Sequence, residues 1–193
     1  MSHSAGHDSH DAGGGNKRIG LLIAIMALIL SFSEIGNKQS ENESMAKNID
    51  ASNLWAFYQA KTIRRTSVLT AAEEMNVTAS LTSDPAAKAA LEAQVKRWRD
   101  TAARYESEPE TGEGRKELMA RAKQSETRRD FTKQRAEVFE ISSALLQIGI
   151  VLASTAIITG VMMLVWCAGG LSVIALVLMG VAVWNPFLLP IGH

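Results

Sequence analysis

The chain has 193 residues, 47% of them hydrophobic, with 20 basic and 20 acidic side chains and a formal net charge of zero. A balanced charge argues against a nucleic-acid binder, which ordinarily carries a basic excess or a basic face. Cys167 is the single cysteine, so an internal disulfide is excluded. This length allows one ordinary domain, or a small domain with membrane anchors.

The chain opens with a segment rich in His and Asp, residues 1–18, which we predict to be a flexible tail. Imidazoles and carboxylates are ligands for divalent metals. Their irregular spacing fixes no ligand geometry, so we expect adventitious metal binding or none, and we assign no cofactor. The candidate ligands are His3, His7, His10, Asp8 and Asp11.

An uncharged apolar run follows the tail, and we assign a first transmembrane helix to residues 19–35. A run of about 15 apolar residues after Lys17 and Arg18 also describes a secretory signal peptide. We favour a retained anchor because the helix can extend through residues 34–36 at the membrane interface.

The polar region at 36–140 is predicted to be a coiled-coil-like extramembrane stalk, with helices at about 44–78, 85–105 and 115–140. Asp84 can cap the second helix, because Pro85 suits a first helical position. Pro109, Gly112 and Gly114 favour a loop before the third helix.

Each predicted helix carries one stripe of residues at spacings of four and three. The stripes are Leu54, Tyr58, Lys61, Arg65, Val68, Ala72 and Met75; Ala87, Leu91, Val95, Trp98, Ala102 and Tyr105; and Leu118, Ala122, Ser125, Arg129, Thr132, Ala136 and Phe139. Small and charged residues stand where a strong coiled coil has leucine, so a single chain buries little apolar surface. We therefore expect a homo-oligomer.

The segment ASNLWAFYQAKTIRR, residues 51–65, concentrates aromatic and basic side chains and is predicted to interlock the helices. Buried cations need carboxylate partners. We expect Lys61 and Arg65 to fix the helix register against acidic residues of the third helix, first of all Glu126, Asp130 and Glu137. The candidate interaction residues are Leu54, Trp55, Phe57, Tyr58, Lys61, Arg65 and Trp98.

From Ile141 to the end the sequence carries no charge, which predicts two further spans at 141–167 and 171–190. Cys167–Gly170 is short and rich in glycine, so we predict the hairpin turn there. Basic residues shortly before the second span favour, weakly, a cytoplasmic stalk.

An enzyme is not expected. No histidine lies between residues 11 and 192, which removes Ser-His-Asp and Cys-His arrangements from this part of the chain. TGEGRKE, at 111–117, lacks the spacing of a phosphate loop. We predict a non-enzymatic membrane scaffold or accessory protein that self-associates or docks onto another membrane complex. The alternative is an oligomeric channel or transport accessory, linked to metal through the tail.

Four features together resemble one bacterial family, the domain of unknown function 4337. They are the His-rich acidic tail, NKRIGLLIAIMALILSFSE at 16–34, ASNLWAFYQAKTIRR at 51–65, and the closing apolar hairpin, with SNLWAFYQAK at 52–61 the most specific part. The resemblance implies three spans in a bacterial inner membrane. It implies no catalytic residue.

Overall fold

A computed structural model describes residues 9–188, with side chains from Gly15 onward. These residues form four α-helices: α1 (Ser9–Leu81), α2 (Pro85–Glu106), α3 (Arg115–Thr159) and α4 (Met162–Trp184). A short 3-10 helix, Pro186–Leu188, follows α4. The described residues include no strand, which confirms the predicted all-α class for this part of the chain.

The chain divides into two compact units. The apolar unit consists of Met1–Ser44 and Asp130–His193, and the polar unit is Met45–Arg129. Three helices, α1, α3 and α4, are long and apolar enough to cross a membrane. The number of candidate spans therefore agrees with the number predicted from hydropathy.

Helix α1 differs from the prediction, which placed a span at 19–35 and a separate helix at about 44–78. One helix runs over Ser9–Leu81 and begins inside the predicted flexible tail. Residues 37–50 are polar but contain no proline and include good helix formers, so nothing in them ends a helix. The change from apolar to polar residues at 37–50 is therefore not a helix break.

The break after α1 lies where it was predicted. The carboxylate of Asp84 accepts hydrogen bonds from the backbone N–H groups of Ala86 and Ala87, at 3.1 and 3.2 Å. Pro85 occupies the first helical position, where its missing N–H costs no hydrogen bond. The predicted loop before α3 is also present, and Gly112 adopts a positive φ of 68° in it.

Three apolar clusters form the core of the apolar unit, each with a buried residue of α4. Their buried members are Ile19, Ala153 and Ala168; Met26, Leu146 and Ala175; and Val138, Phe139 and Ala182. The α4 residues are three alanines at seven-residue spacing, and small side chains let helix backbones approach closely. Near the third cluster, the Ser33 hydroxyl donates to the Phe139 carbonyl at 3.0 Å.

The predicted hairpin turn at Cys167–Gly170 is wrong, because these four residues lie inside α4. The chain reverses at Gly160, whose φ is 72° and whose N–H donates to the Ala156 carbonyl at 2.9 Å. A glycine with positive φ is the usual end of a helix. In contrast, Gly169 and Gly170 have nothing within 4 Å of an added Cβ and continue the helix without strain.

Candidate interaction sites

The predicted stripe of α1 faces the interior of the polar unit. Lys61 and Ala72 are buried, and the other members are half-buried. Ala51 and Ala79 extend the same face at both ends, at 3% and 2% exposure. The stripes of α2 and α3 are likewise at least half-buried, except for Ala87. Helical periodicity therefore located the inner faces of all three helices.

Arg115, the first residue of α3, makes the best-formed polar cluster in this unit. Its guanidinium donates to the Tyr58 hydroxyl and the Thr62 hydroxyl, both at 2.9 Å, and to the Glu106 carboxylate at 2.6 Å. Burial alone would lower the pKa of Arg115, but its bond to Tyr58 and the charge of Glu106 outweigh burial and raise that pKa. The predicted α3 stripe began at Leu118, but the same spacing taken three residues further back reaches Arg115, so periodicity could have found this residue.

Lys61 and Arg65 both approach carboxylates, but not those expected on α3. The Lys61 ammonium lies 3.9 Å from Glu113 in the loop, and Nε of Arg65 lies 3.1 Å from Glu106 on α2. The Arg65 N–H is not aligned for a hydrogen bond, so that contact is an ion pair only. That these two cations fix the register stays a prediction.

Lys61 is only 6% exposed, although its nearest carboxylate is distant for an ion pair. Its ammonium lies 5.2 Å from the ring centroid of Tyr105 and 5.7 Å from that of Phe57. The negative faces of aromatic rings attract a cation at such distances. Two rings thus replace part of the hydration that Lys61 loses on burial.

Trp55 makes a hydrogen bond and a ring contact inside the polar unit. Its indole N–H donates to the Glu126 carboxylate at 2.9 Å, and its ring meets Tyr58 edge-on at 5.4 Å. Glu126 is one of the α3 acids expected to pair with the cations. The remaining candidates are less enclosed: Leu54 and Phe57 line a shallow groove of about 410 Å³, and Trp98 is half-buried on α2.

Hydrogen bonds to acidic side chains stabilise the loop between α2 and α3. Glu117 accepts a hydrogen bond from the Ser107 hydroxyl at 2.6 Å and one from the Glu108 N–H at 3.2 Å, which lowers the pKa of Glu117. Arg104 donates to Glu108 at 2.7 Å, which lowers the pKa of Glu108 and raises that of Arg104. A Cβ on Gly114 would lie 2.7 Å from the Ser107 Cα, so this loop excludes a side chain there.

A second stripe on α1, which we call the outer stripe, is exposed and was not predicted. Its members follow at intervals of seven residues and are Ile49, Ala56, Ile63, Thr70 and Val77. All five are exposed, and Ile63 is 67% exposed. They lie about 200° around the helix from the buried Ala51 and Ala79 positions. Ile49, Ile63 and Val77 recur every fourteen residues, with Ala56 and Thr70 midway between them, and this spacing is visible in the sequence.

The apolar unit has an acidic cleft of about 400 Å³ between α1 and α3. Each helix contributes residues at spacings of three and four, which places them on one face. The lining residues are Glu34, Asn37, Lys38, Glu41, Glu140, Ser143, Ala144 and Gln147. Gln147 donates to Glu34 over a long 3.5 Å, and no described basic side chain pairs with the three glutamates.

The candidate metal ligands of the tail lie outside the residues whose side chains are described. His3, His7 and Asp8 lie outside the described residues, and His10 and Asp11 are described only as helical backbone. Among the residues whose side chains are described, no group of three His, Cys, Asp or Glu side chains could hold a metal ion.

A comparison with protein families decides the relationship that the sequence suggested. The family model for the domain of unknown function 4337 matches residues 15–185, which include all of the described sites above. The chain belongs to this family. The resemblance noted in SNLWAFYQAK is thereby confirmed for the whole DUF4337 region. Searches of curated proteins and of solved structures each found no match.

Proposed function

We propose that this DUF4337 protein is a non-enzymatic, membrane-anchored scaffold of the bacterial inner membrane, with three spans and a cytoplasmic polar unit that self-associates. The observation that carries this proposal is the outer stripe of α1. Ile49, Ile63 and Val77 are large and exposed, and with the smaller Ala56 and Thr70 between them they repeat at the heptad period, which supports pairing with a helix of another chain.

The placement in a membrane rests on the three apolar helices and on the tryptophans of α4. Trp166 is 80% exposed near the start of α4, and Trp184 is 90% exposed at its end. At 1.5 Å per residue they are separated by roughly 27 Å, close to the thickness of a bilayer hydrocarbon core. Exposed tryptophans at this separation fit the two membrane interfaces, where such residues are enriched.

The partner we propose for the outer stripe is a second copy of the chain. Two copies inserted in one membrane present α1 in the same direction, so the helices meet in parallel. In a parallel two-fold pair each residue of the seam faces its own counterpart, which makes an evenly spaced stripe complementary to itself. Ile63 would then pack against Ile63 of the partner, with Ala56 and Thr70 one heptad away on each side.

The alternative functions have less support. A channel needs a wet path, yet the described hydroxyls of Ser142, Ser154, Thr155 and Ser172 donate to carbonyls of their own helices. Apolar clusters fill the space between α1, α3 and α4 in the described part of the chain. A channel or transport accessory therefore stays the second candidate. The polar clusters around Arg115 and Lys61 hold helices together through hydrogen bonds and ring contacts, which supports a structural role for the polar unit.

Disulfide trapping on the outer stripe tests self-association. In a Cys167→Ser background, Ile63→Cys should give a covalent dimer in native membranes under mild oxidation. Arg64→Cys is the matched control, because Arg64 is exposed on the same turn but points about 100° away. We expect the Ile63 dimer to exceed the Arg64 dimer on the order of tenfold, the ratio set by about 1.4 kcal/mol of preference.

A charge on the stripe gives the complementary measurement. Ile63→Glu should shift the detergent-solubilised protein from a dimer or larger oligomer to a single chain by light scattering, whereas Arg64→Glu should leave the mass unchanged. Because Ile63 is exposed, the substitution should not unfold the protein, and helical circular dichroism verifies that. A single-chain mass for the unmodified protein, together with equal trapping at both positions, would refute self-association.

A further inference from the structure

The acidic cleft of the apolar unit contains buried polar atoms that no side chain satisfies. The Ser143 hydroxyl and the Asn37 side-chain oxygen are shielded from solvent and have no hydrogen-bond partner. Ser143 is 6% exposed, and both residues line the cleft. Buried polar groups in native proteins are almost always hydrogen-bonded, so an orphaned pair at one cleft points to a group that binds there.

The charge and bonding of the cleft define that group. Carboxylates and an amide oxygen accept hydrogen bonds, and the cleft has three glutamates and the Asn37 oxygen with one cation, Lys38, among them. The missing partner must therefore carry positive charge and several N–H donors. The described carboxylates are not grouped to hold a metal ion, which favours a larger cation than a bare metal.

The position of the cleft along the candidate spans indicates which kind of molecule could supply such a cation. Glu34 directly follows the uncharged run of α1, and Glu140 directly precedes that of α3. On α4 the same level is marked by Ala182, which packs with Phe139, and the exposed Trp184 lies two residues further on. Charged boundaries and an exposed tryptophan at one level are typical of the headgroup layer.

We propose that this cleft binds the primary ammonium of a phospholipid headgroup, as in phosphatidylethanolamine. The glutamates balance the charge of the ammonium, the Ser143 and Asn37 side chains rotate toward it on binding and accept its hydrogen bonds, and the Lys38 ammonium meets the lipid phosphate. A volume of about 400 Å³ accommodates such a headgroup. This inference rests on the membrane placement in the proposed function, but not on self-association.

Lipid competition on the full-length protein in detergent tests the site, with retained lipid counted by native mass spectrometry. Phosphatidylethanolamine should be retained about tenfold over phosphatidylcholine, because a trimethylammonium has the charge but no N–H donor; one charge-assisted hydrogen bond supports a factor of this size. Phosphatidylglycerol, which has no amine, should be retained as weakly. Free ethanolamine should compete only at much higher concentration, because it lacks the phosphate and the acyl chains.

Variants of the cleft separate this site from general lipid binding. Glu34→Gln with Glu140→Gln should reduce the preference for phosphatidylethanolamine to near parity, and Ser143→Ala should reduce it by a smaller factor. Glu73→Gln, an exposed carboxylate of the polar unit, is the matched control and should retain the full preference. Circular dichroism verifies that each variant is folded.

The results that overturn the proposal are distinct. Equal retention of the three lipids, or a preference that survives the double substitution, would refute an ammonium site. Saturable binding of free Mg²⁺ or Ca²⁺ that depends on Glu34 and Glu140 would assign the cleft to a metal ion instead. Resistance to alkaline extraction is measured on the same membranes: an extractable protein would refute the membrane placement itself, whereas a retained one without lipid preference refutes this inference alone.

Discussion

The two units of the chain are stabilised by different physical means. The apolar unit packs alanines, serine and glycine against larger side chains in close helix contacts, and most of its hydroxyls donate to helix carbonyls. The polar unit instead joins its helices by Arg115, Lys61 and aromatic rings around shared carboxylates. In the membrane placement proposed above, lipid supplies no hydrophobic drive between apolar helices, so shape must hold the first unit. Water competes for every polar contact in the second, so hydrogen-bond geometry must hold it.

This difference predicts which substitutions matter in each unit. In the apolar unit a single added methyl group should be harmful where helices touch and harmless elsewhere. In the polar unit the number of well-aligned hydrogen bonds, rather than the presence of charge, should determine the cost of a substitution.

Arg115→Met should have the largest effect. It removes three hydrogen bonds and leaves the Glu106 carboxylate and the Tyr58 hydroxyl without their donor. We expect a loss of about 2–3 kcal/mol in the apparent free energy of unfolding, measured by helical circular dichroism in detergent. Lys61→Met is the matched control: Lys61 donates no described hydrogen bond, and replacing a buried charge by an apolar chain should change stability by less than about 1 kcal/mol in either direction.

Equal losses in the two variants would contradict the idea that alignment, not charge, stabilises the polar unit. A large loss for Lys61→Met alone would also restore the expectation that this lysine determines how the helices pair. The comparison thus separates a hydrogen-bonded cation from one held mainly by rings.

Gly36→Val should have an intermediate effect in the apolar unit. A Cβ at Gly36 would lie 2.8 Å from the Phe139 ring, and Phe139 is buried. Forcing an extra side chain into a packed contact costs about 1–3 kcal/mol, seen as a lower midpoint of thermal aggregation in detergent. Gly20→Val carries the same change in helix propensity but meets nothing within 4 Å, so its midpoint should stay near that of the unmodified protein. Similar losses at both positions would show that propensity, rather than packing, governs this unit.

The features that the sequence predicted well are local. The Asp84 cap, the loop before α3 and the buried faces of all three stripes follow from capping chemistry and helical period alone. The reversal at Gly160 was missed because both Gly160 and Cys167–Gly170 divide the apolar run into two segments long enough to span a bilayer. Hydropathy contains no information on which glycine has a positive φ.

The partners of Lys61 and Arg65 were missed for a different reason. Periodicity shows which side of a helix is buried, but not which neighbouring helix or loop faces it. The carboxylates that approach these cations, Glu106 and Glu113, lie at the end of α2 and in the loop, where no period applies. The acidic cleft could not be predicted from the sequence either, because its lining residues are about a hundred positions apart in the chain.

Acid should have the smallest effect, on the loop between α2 and α3. The folded pKa of Glu117 is lowered first by the Ser107 hydroxyl, so the stabilisation is present at neutral pH and is lost as the pH falls through this lowered pKa. The pKa of Glu108 is also lowered, first by the hydrogen bond from Arg104. The unfolding midpoint should therefore fall less between neutral and acid pH in Glu117→Gln than in the unmodified protein. Glu73→Gln, whose side chain is exposed, should keep the unmodified pH profile; if Glu117→Gln keeps it too, the Ser107 contact contributes no stability in solution.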